Sequence, residues 1–339
     1  MKLSFETFEL RKKYPFTISG YTLLTQSVIY VTIEHEGYTG AGEASPGYYF
    51  DETIDDVLAF YASLAPDFAK ISDISDRQSI MDFVEKKRPG LTAAKAGIDV
   101  ALNDLYGKIL GKPCYQLFGA DPATMPVTSF TIGMDTPDVI RKKVSEATEF
   151  KLLKIKLGGE NDRGIIEAIR SVSSQPLCVD ANQGWTDRQE AIDMIHWLKD
   201  QGTTFIEQPM PVAQRDDNAW VTEHSPLPVV ADEAVQRLVD VESAKGVYHG
   251  INIKMSKCTG MLEGYKMVQK ARSLGLKLMI GCMSESSVGI LGAAAIAPLC
   301  DWVDLDSSWL IANNPYHDPE LREGKIILSD APGLGLRKK

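Results

Sequence analysis

The chain has 339 residues, of which 44% are hydrophobic and 24% charged, and a formal net charge of −10. This is the composition of an ordinary globular protein; it excludes a disordered chain, and no apolar run approaches the roughly 18 residues that suggest a membrane span. The acidic balance, relieved only by the short RKK runs at Arg11 to Lys13 and in the tail, argues against nucleic-acid binding.

The length exceeds what one growing core usually holds, so two domains or one large barrel with additions are expected. The start, MKLSFETFELRKKYPF, lacks an apolar signal core, and a cytoplasmic location is the default. Five scattered cysteines (Cys114, Cys178, Cys258, Cys282, Cys300) form no CxxC pair, which argues against a disulfide framework and a zinc site.

Residues 2 to 10, 26 to 36 and 38 to 44 read as strands, with HEGYTG as a turn, and 52 to 110 as mostly helical. These belong to an α+β domain over 1–124. From about residue 125 a unit repeats: an apolar run, a polar end, a loop, an amphipathic helix. The polar ends from Lys156 on fall at 156, 180, 207, 232, 254, 281 and 304. The segment TDRQEAIDMIHWLKDQG shows Thr186 and Gln189 at capping-box spacing, Ala191, Ile195 and Leu198 on one face, and Gly202 at its end. Eight strands alternating with helices over 125–310 predict a modified (β/α)8 barrel, with chemistry at the C-terminal strand ends. An open doubly wound sheet is the alternative, disfavoured because no glycine-rich nucleotide loop is present. The tail, 311–339, is rich in Pro and Gly and is expected to pack back on the first domain.

Three strand ends carry a carboxylate after apolar residues: Asp180 in LCVDAN, Glu207 in FIEQP and Asp232 in VVADEA. Carboxylates converging on one rim repel one another unless a cation lies between them, and oxygen-only ligands favour Mg²⁺, with Mn²⁺ as a second choice. Taken singly, each reads more readily as a helix cap or a surface acid, and three in register at barrel spacing reverse that preference. In FKLLKIKLGG, Lys154 and Lys156 share one strand face while Leu153, Ile155 and Leu157 share the other. INIKMSKCTG brings Lys254 and Lys257 to a strand end across the barrel mouth. Partly desolvated lysines near other cations suit general-base work, and lysines on two sides of a metal-bound substrate suit proton removal and return.

The ordered motifs KIKLG, VDAN, IEQP, ADE, INIKMSKCTG and DLDSS resemble the enolase superfamily, its muconate-lactonizing subgroup, and within that the dipeptide epimerases. The resemblance covers essentially the whole chain, the first domain being the capping domain. It implies that Asp180, Glu207 and Asp232 bind Mg²⁺ and that Lys156 and Lys257 are the acid/base pair. Lys154 would act beside Lys156 and help neutralise the substrate carboxylate, while Lys254 gives electrostatic support. Asn182, Gln208 and Glu233 would orient these groups. A metal-stabilised enolate would be the intermediate. Partners would be a small dipeptide and further copies of the chain, not nucleic acid or membrane.

Asp304 and Asp306, in WVDLDSS, share a face and resemble the site for a dipeptide α-ammonium. The competing reading is that one of them pairs with a barrel lysine. Thr131 and Met283 are expected to border the substrate, and the loop PGYYF to close over it. Relatives acting on Ala-Glu can carry a basic residue in the first-domain loop to grip the glutamate side chain, where this chain has Tyr21; Arg11, Lys12 and Lys13 precede that place and are not expected to reach. An L-Ala-D/L-Glu-like substrate follows, from recycling of cell-wall peptides. The alternatives are an o-succinylbenzoate synthase or muconate cycloisomerase type of lyase on the same site, or a non-catalytic binding barrel.

Overall fold

The sequence folds, in a computed structural model describing residues 1–18, 21–47 and 51–339 and the backbone of Tyr21, into a sheet-and-helix unit set against a barrel. Tyr48, Tyr49 and Phe50 of the PGYYF loop and the Tyr21 side chain lie outside the described residues. The first unit is an antiparallel sheet of β1 (Lys2–Ile18), β2 (Tyr21–His35) and β3 (Tyr38–Ala44). It is followed by α1 (Ile54–Phe68), α2 (Arg77–Lys87), α3 (Thr92–Leu110) and the single turn α4 (Cys114–Leu117). Glu36 and Gly37, with φ of 49° and 81°, make the two-residue turn between β2 and β3, where both central residues need positive φ. The strand expected over 2 to 10 runs on to Ile18, pairing with β2 up to Arg11 and again from Phe16. Pro15 sits in the irregular gap, where no ladder donor is required.

Helix α3 is buried on nearly every face because it lies between the sheet and the barrel. Its approach to β3 is so close that a Cβ on Gly42 would stand 1.9 Å from the carbonyl oxygen of Gly97.

The barrel comprises β4 (Ser129–Ile132), α5 (Pro137–Glu146), β5 (Leu152–Lys156), α6 (Asp162–Arg170), β6 (Leu177–Asp180), α7 (Arg188–Asp200), β7 (Thr203–Glu207), α8 (Arg215–His224), β8 (Val229–Ala231), β9 (Gly250–Lys254), α9 (Met261–Ser273), β10 (Lys277–Gly281), α10 (Ser287–Ala294) and β11 (Trp302–Asp304). The eight strands are parallel and in chain order, and a bridge from Thr128 to Val303 joins the first to the last. Between β8 and β9 a short 3₁₀ segment, Leu238–Ala244, replaces the α-helix of the regular repeat. Asp187, not Thr186, caps α7: its carboxylate accepts from the amides of Gln189 (2.8 Å) and Glu190 (3.0 Å). Ala191, Ile195 and Leu198 are fully buried, as their spacing requires.

Two carboxylates of the first unit cap helices of the barrel. Asp99 on α3 accepts from the amides of Met261 and Leu262 at the start of α9. Glu43 on β3 accepts from the amide and hydroxyl of Ser286 (2.9 and 2.5 Å) and from the amide of Gly289 (3.2 Å) at the start of α10. Each satisfies donors that a helix N-terminus leaves open. The C-terminal segment, with its hairpin β12 (Glu320–Arg322) and β13 (Lys325–Ile327), touches both units. The amide of Leu334 donates to Asp104 (2.8 Å) and the Tyr115 hydroxyl to Asp330 (2.6 Å), while the amide of Thr128 donates to the carbonyl of Gly324 (2.8 Å).

Candidate active site

Alternation along the strands sorts the barrel interior into layers. Leu152, Cys178, Phe205, Val230 and Met279, with Val127 and Trp302 against them, form an apolar floor. Two residues further along the same strands, on the same inward face, stand Lys154, Asp180, Glu207 and Asp304, with Asp232 just past the end of β8. Leu153, Ile155 and Leu157 point outward into the core under the helices. The pairs Lys156 with Asp180, Asp180 with Glu207, and Gly281 with both Lys254 and Asp304 are in register, so the polar ends meet on one rim.

One carboxylate oxygen each from Asp180, Glu207 and Asp232 lies within 4.8 Å of the other two, and all three residues are buried. Lys154 Nζ stands 2.6 Å from Glu207 Oε2, 2.7 Å from Asp304 Oδ2 and 3.1 Å from Asp180 Oδ2. Lys156 donates to Asp180 Oδ2 (2.7 Å) and Asn182 Oδ1 (3.0 Å). Lys254 and Lys257 share Asp232, each at 2.6 Å; Lys257 also donates to the carbonyls of Asp232, Val235 and Asn252. Four buried ammoniums thus balance four buried carboxylates. Burial alone would lower the Lys154 pKa, but Asp304, Glu207 and Asp180 together hold it well above the ordinary lysine value. Burial opposes ionisation of Asp180, yet Lys156 and Lys154 outweigh it and bring its pKa to about 2. For Glu207, burial and then the charge of Asp180 win, pushing its pKa up to about 7. Glu207 Oε2 has an ammonium beside it but no aligned hydrogen bond, and this oxygen-only donor set fits a hard divalent cation.

Asn182 binds back through its amide to Asp180 Oδ1 (2.9 Å) and reaches Glu233 Oε1 (3.3 Å). Gln208 lies outside the cavity lining: its Oε1 accepts the amides of Asp232 (3.0 Å) and Ala234 (3.2 Å), so it holds the turn that carries Asp232. Asn252, on β9 two strands from β7 and unremarked in the sequence, donates to Glu207 Oε1 at 2.7 Å. Its inward parity with Lys254 was the available signal.

These groups open into a cavity of about 420 Å³ between barrel and first unit, lined among others by Thr131, Lys156, Glu233, Lys257, Met283, Asp304 and Asp306. Asp304 pairs with Lys154 and accepts from the Ser129 hydroxyl (2.6 Å). Asp306 accepts from the amide of Thr131 through Oδ2 (2.5 Å), with the Thr131 hydroxyl also beside its carboxylate. Burial and then Asp304 raise the Asp306 pKa to about 6.

One expectation is corrected. Lys12 does reach the cavity, because β1 continues past residue 10 and alternation turns Lys12 inward while Arg11 and Lys13 stay exposed. Its backbone is bridged to Ile311, with the amide of Ala312 donating to the Arg11 carbonyl at 2.8 Å.

Residues 4–119 match the family described as mandelate racemase / muconate lactonizing enzyme, N-terminal domain, and residues 139–338 match enolase C-terminal domain-like proteins. The chain is 49% identical, over 100% of its length and 88% of the relative's, to the L-Ala-D/L-Glu epimerase of Bacteroides thetaiotaomicron. Among solved structures it resembles the Enterococcus faecalis dipeptide epimerase complexed with Mg and L-Leu-L-Tyr (TM-score 0.91, 32% identity, 99% of both chains). It also resembles the substrate-liganded L-Ala-D/L-Glu epimerase of Bacillus subtilis (TM-score 0.91, 26% identity, 99% of both chains). With both of its domains matched and a relative 49% identical along its whole length, the chain belongs to the mandelate racemase/muconate lactonizing enzyme family of the enolase superfamily.

Proposed function

We propose that this protein is a dipeptide epimerase that inverts the α-carbon of the C-terminal residue of an L-Ala-D/L-Glu-like dipeptide by proton transfer between two lysines. The observation that carries the reading is that Lys156, on β5, and Lys257, after β9, line one cavity from strands four apart in an eight-stranded barrel, with the acidic cluster between them. Lysines so opposed take a proton from one face of a carbon and return one to the other. Asp180, Glu207 and Asp232 would hold Mg²⁺, or Mn²⁺ in its stead, and the bound ion would supply positive charge to offset the negative charge developing on the substrate carboxylate.

Lys154 adds a fixed positive charge beside that carboxylate. Asp304 and Asp306 receive the α-ammonium, with Thr131 and Met283 at the pocket wall. Asn182, Gln208, Glu233 and Lys254 hold the acidic cluster in shape. The names of the relatives support the reaction, and the solved relative that holds Mg and L-Leu-L-Tyr supports a bound dipeptide. A cytoplasmic enzyme acting on an Ala-Glu unit of cell-wall peptide, assembled as a homo-oligomer, is the setting we infer.

Incubation with L-Ala-D-Glu or L-Ala-L-Glu in D₂O is expected to place deuterium on the Glu α-carbon and to yield both epimers. Absence of α-proton exchange on every dipeptide of a broad panel would refute the reading.

A further inference from the structure

Strands β5, β6, β7, β9 and β11 end on Lys156, Asp180, Glu207, Lys254 and Asp304, but β10 ends on Gly281. The bare position is filled from the neighbouring strand. A Cβ on Gly281 would stand 2.9 Å from both Nδ2 and Oδ1 of Asn252 and 3.2 Å from Lys254 Cε. Asn252 is wholly buried and in register with Met279 of the apolar floor, so β9 sets an amide where the strands around it set apolar side chains.

That amide is aimed at one target. Its Nδ2 donates to Glu207 Oε1 at 2.7 Å, while its Oδ1 has no hydrogen-bond partner among the described residues. A buried acceptor left unmet is costly, so packing alone does not account for an amide in this place. Glu207 has one more side-chain torsion to fix than Asp180 or Asp232, and Asn252 gives it a charge-assisted hydrogen bond. Lys154, Lys156, Lys254 and Lys257 also hold the cluster, but as ammoniums whose charge opposes an incoming cation. The neutral amide holds Glu207 without that opposition.

We infer, resting on the metal reading above, that Asn252 is a positioning residue of the metal site. It keeps the Glu207 carboxylate in place through Oε1 and so sets the affinity for Mg²⁺, and Gly281 is bare to give its amide room.

The test titrates MgCl₂ calorimetrically into protein stripped with EDTA and desalted, comparing wild type with Asn252→Ala, Gly281→Ala, the double variant and Met279→Ala. Asn252→Ala is expected to weaken Mg²⁺ binding by about 10- to 100-fold, the usual cost of losing a group that orients a metal ligand. Gly281→Ala drives its methyl into the amide and weakens binding in the same direction; should Asn252→Ala not fold, this variant still reads the contact. In the double variant the amide is gone and the methyl has room, so its affinity should match that of Asn252→Ala within about 2-fold. Met279→Ala opens a hole in the floor but removes no hydrogen bond, and should stay within about 2-fold of wild type. Wild-type affinity in Asn252→Ala, or an equal loss in Met279→Ala, overturns the inference. Losses that add in the double variant overturn the part given to Gly281. A wild type that binds no Mg²⁺ overturns the metal reading and the inference together.

Discussion

Replacing Lys154 by Met tests the charge balance at the centre of the barrel. Its ammonium, 2% exposed, touches carboxylate oxygens of Glu207, Asp304 and Asp180 at 2.6, 2.7 and 3.1 Å. At an effective dielectric of about 20, each such contact is worth roughly 6 kcal/mol of Coulomb attraction. Removing the cation also removes its own desolvation cost, and breaking a buried pair in this way costs about 3–5 kcal/mol net. With three partners left facing one another, the upper half of that range is expected for the metal-free protein. Because the lost charge had opposed any cation bound to the same carboxylates, Mg²⁺ should stabilise the variant more than wild type. At about 100 times its dissociation constant, a ligand returns about 2.7 kcal/mol. The assay is guanidinium unfolding of both proteins in EDTA and in saturating Mg²⁺. A variant within about 1 kcal/mol of wild type in EDTA, or an equal Mg²⁺ gain in both, refutes the reasoning.

The capping carboxylate Glu43 makes stability depend on pH. Burial and then Glu285 push its pKa to about 7, against an unfolded value of about 4.5, so its contribution is complete below pH 4.5 and is lost as pH rises through 7. Between pH 5 and 8, Glu43→Gln should therefore gain on wild type by on the order of 2 kcal/mol in guanidinium unfolding, and a constant difference would contradict this. Asp306→Asn removes the charge of a buried carboxylate that lines the cavity. KM for dipeptides should rise about 10- to 100-fold in steady-state kinetics, whereas a lyase with no ammonium to hold would be unaffected. Gly42→Ala forces a Cβ onto the Gly97 carbonyl and should destabilise the protein by about 3 kcal/mol or more, read from its thermal midpoint.

Much of the site was legible because strand alternation and βα spacing are local signals. Lys154 and Lys156 share parity with Leu152, and the polar strand ends at 156, 180, 207, 254 and 304 all fall on one rim. The continuation of β1 was not legible, since ELRKKYPF combines a charge run and a proline that locally read as a strand end. It is held by partners far off in sequence, Asn313 and Ile311, and by a ladder that resumes beyond the irregularity. The cap of α7 was misread by one position because Thr186 and Asp187 are both competent, and only the amides reached decide between them. Glu43 with Ser286, and Asp99 with Met261, are 243 and 162 residues apart, beyond the reach of any periodicity.

Those two carboxylates have a consequence for how the chain can be divided. The helices whose N-termini they cap, α9 and α10, follow the turns that carry Lys257 and Met283. A barrel cut free near residue 125 would leave the amides of Met261, Leu262, Ser286 and Gly289 without these acceptors, beside the mouth of its own cavity. The first unit therefore cannot be exchanged like a module. A new first domain grafted onto this barrel must bring an acid at each of the two positions, or the loops beneath it lose their footing.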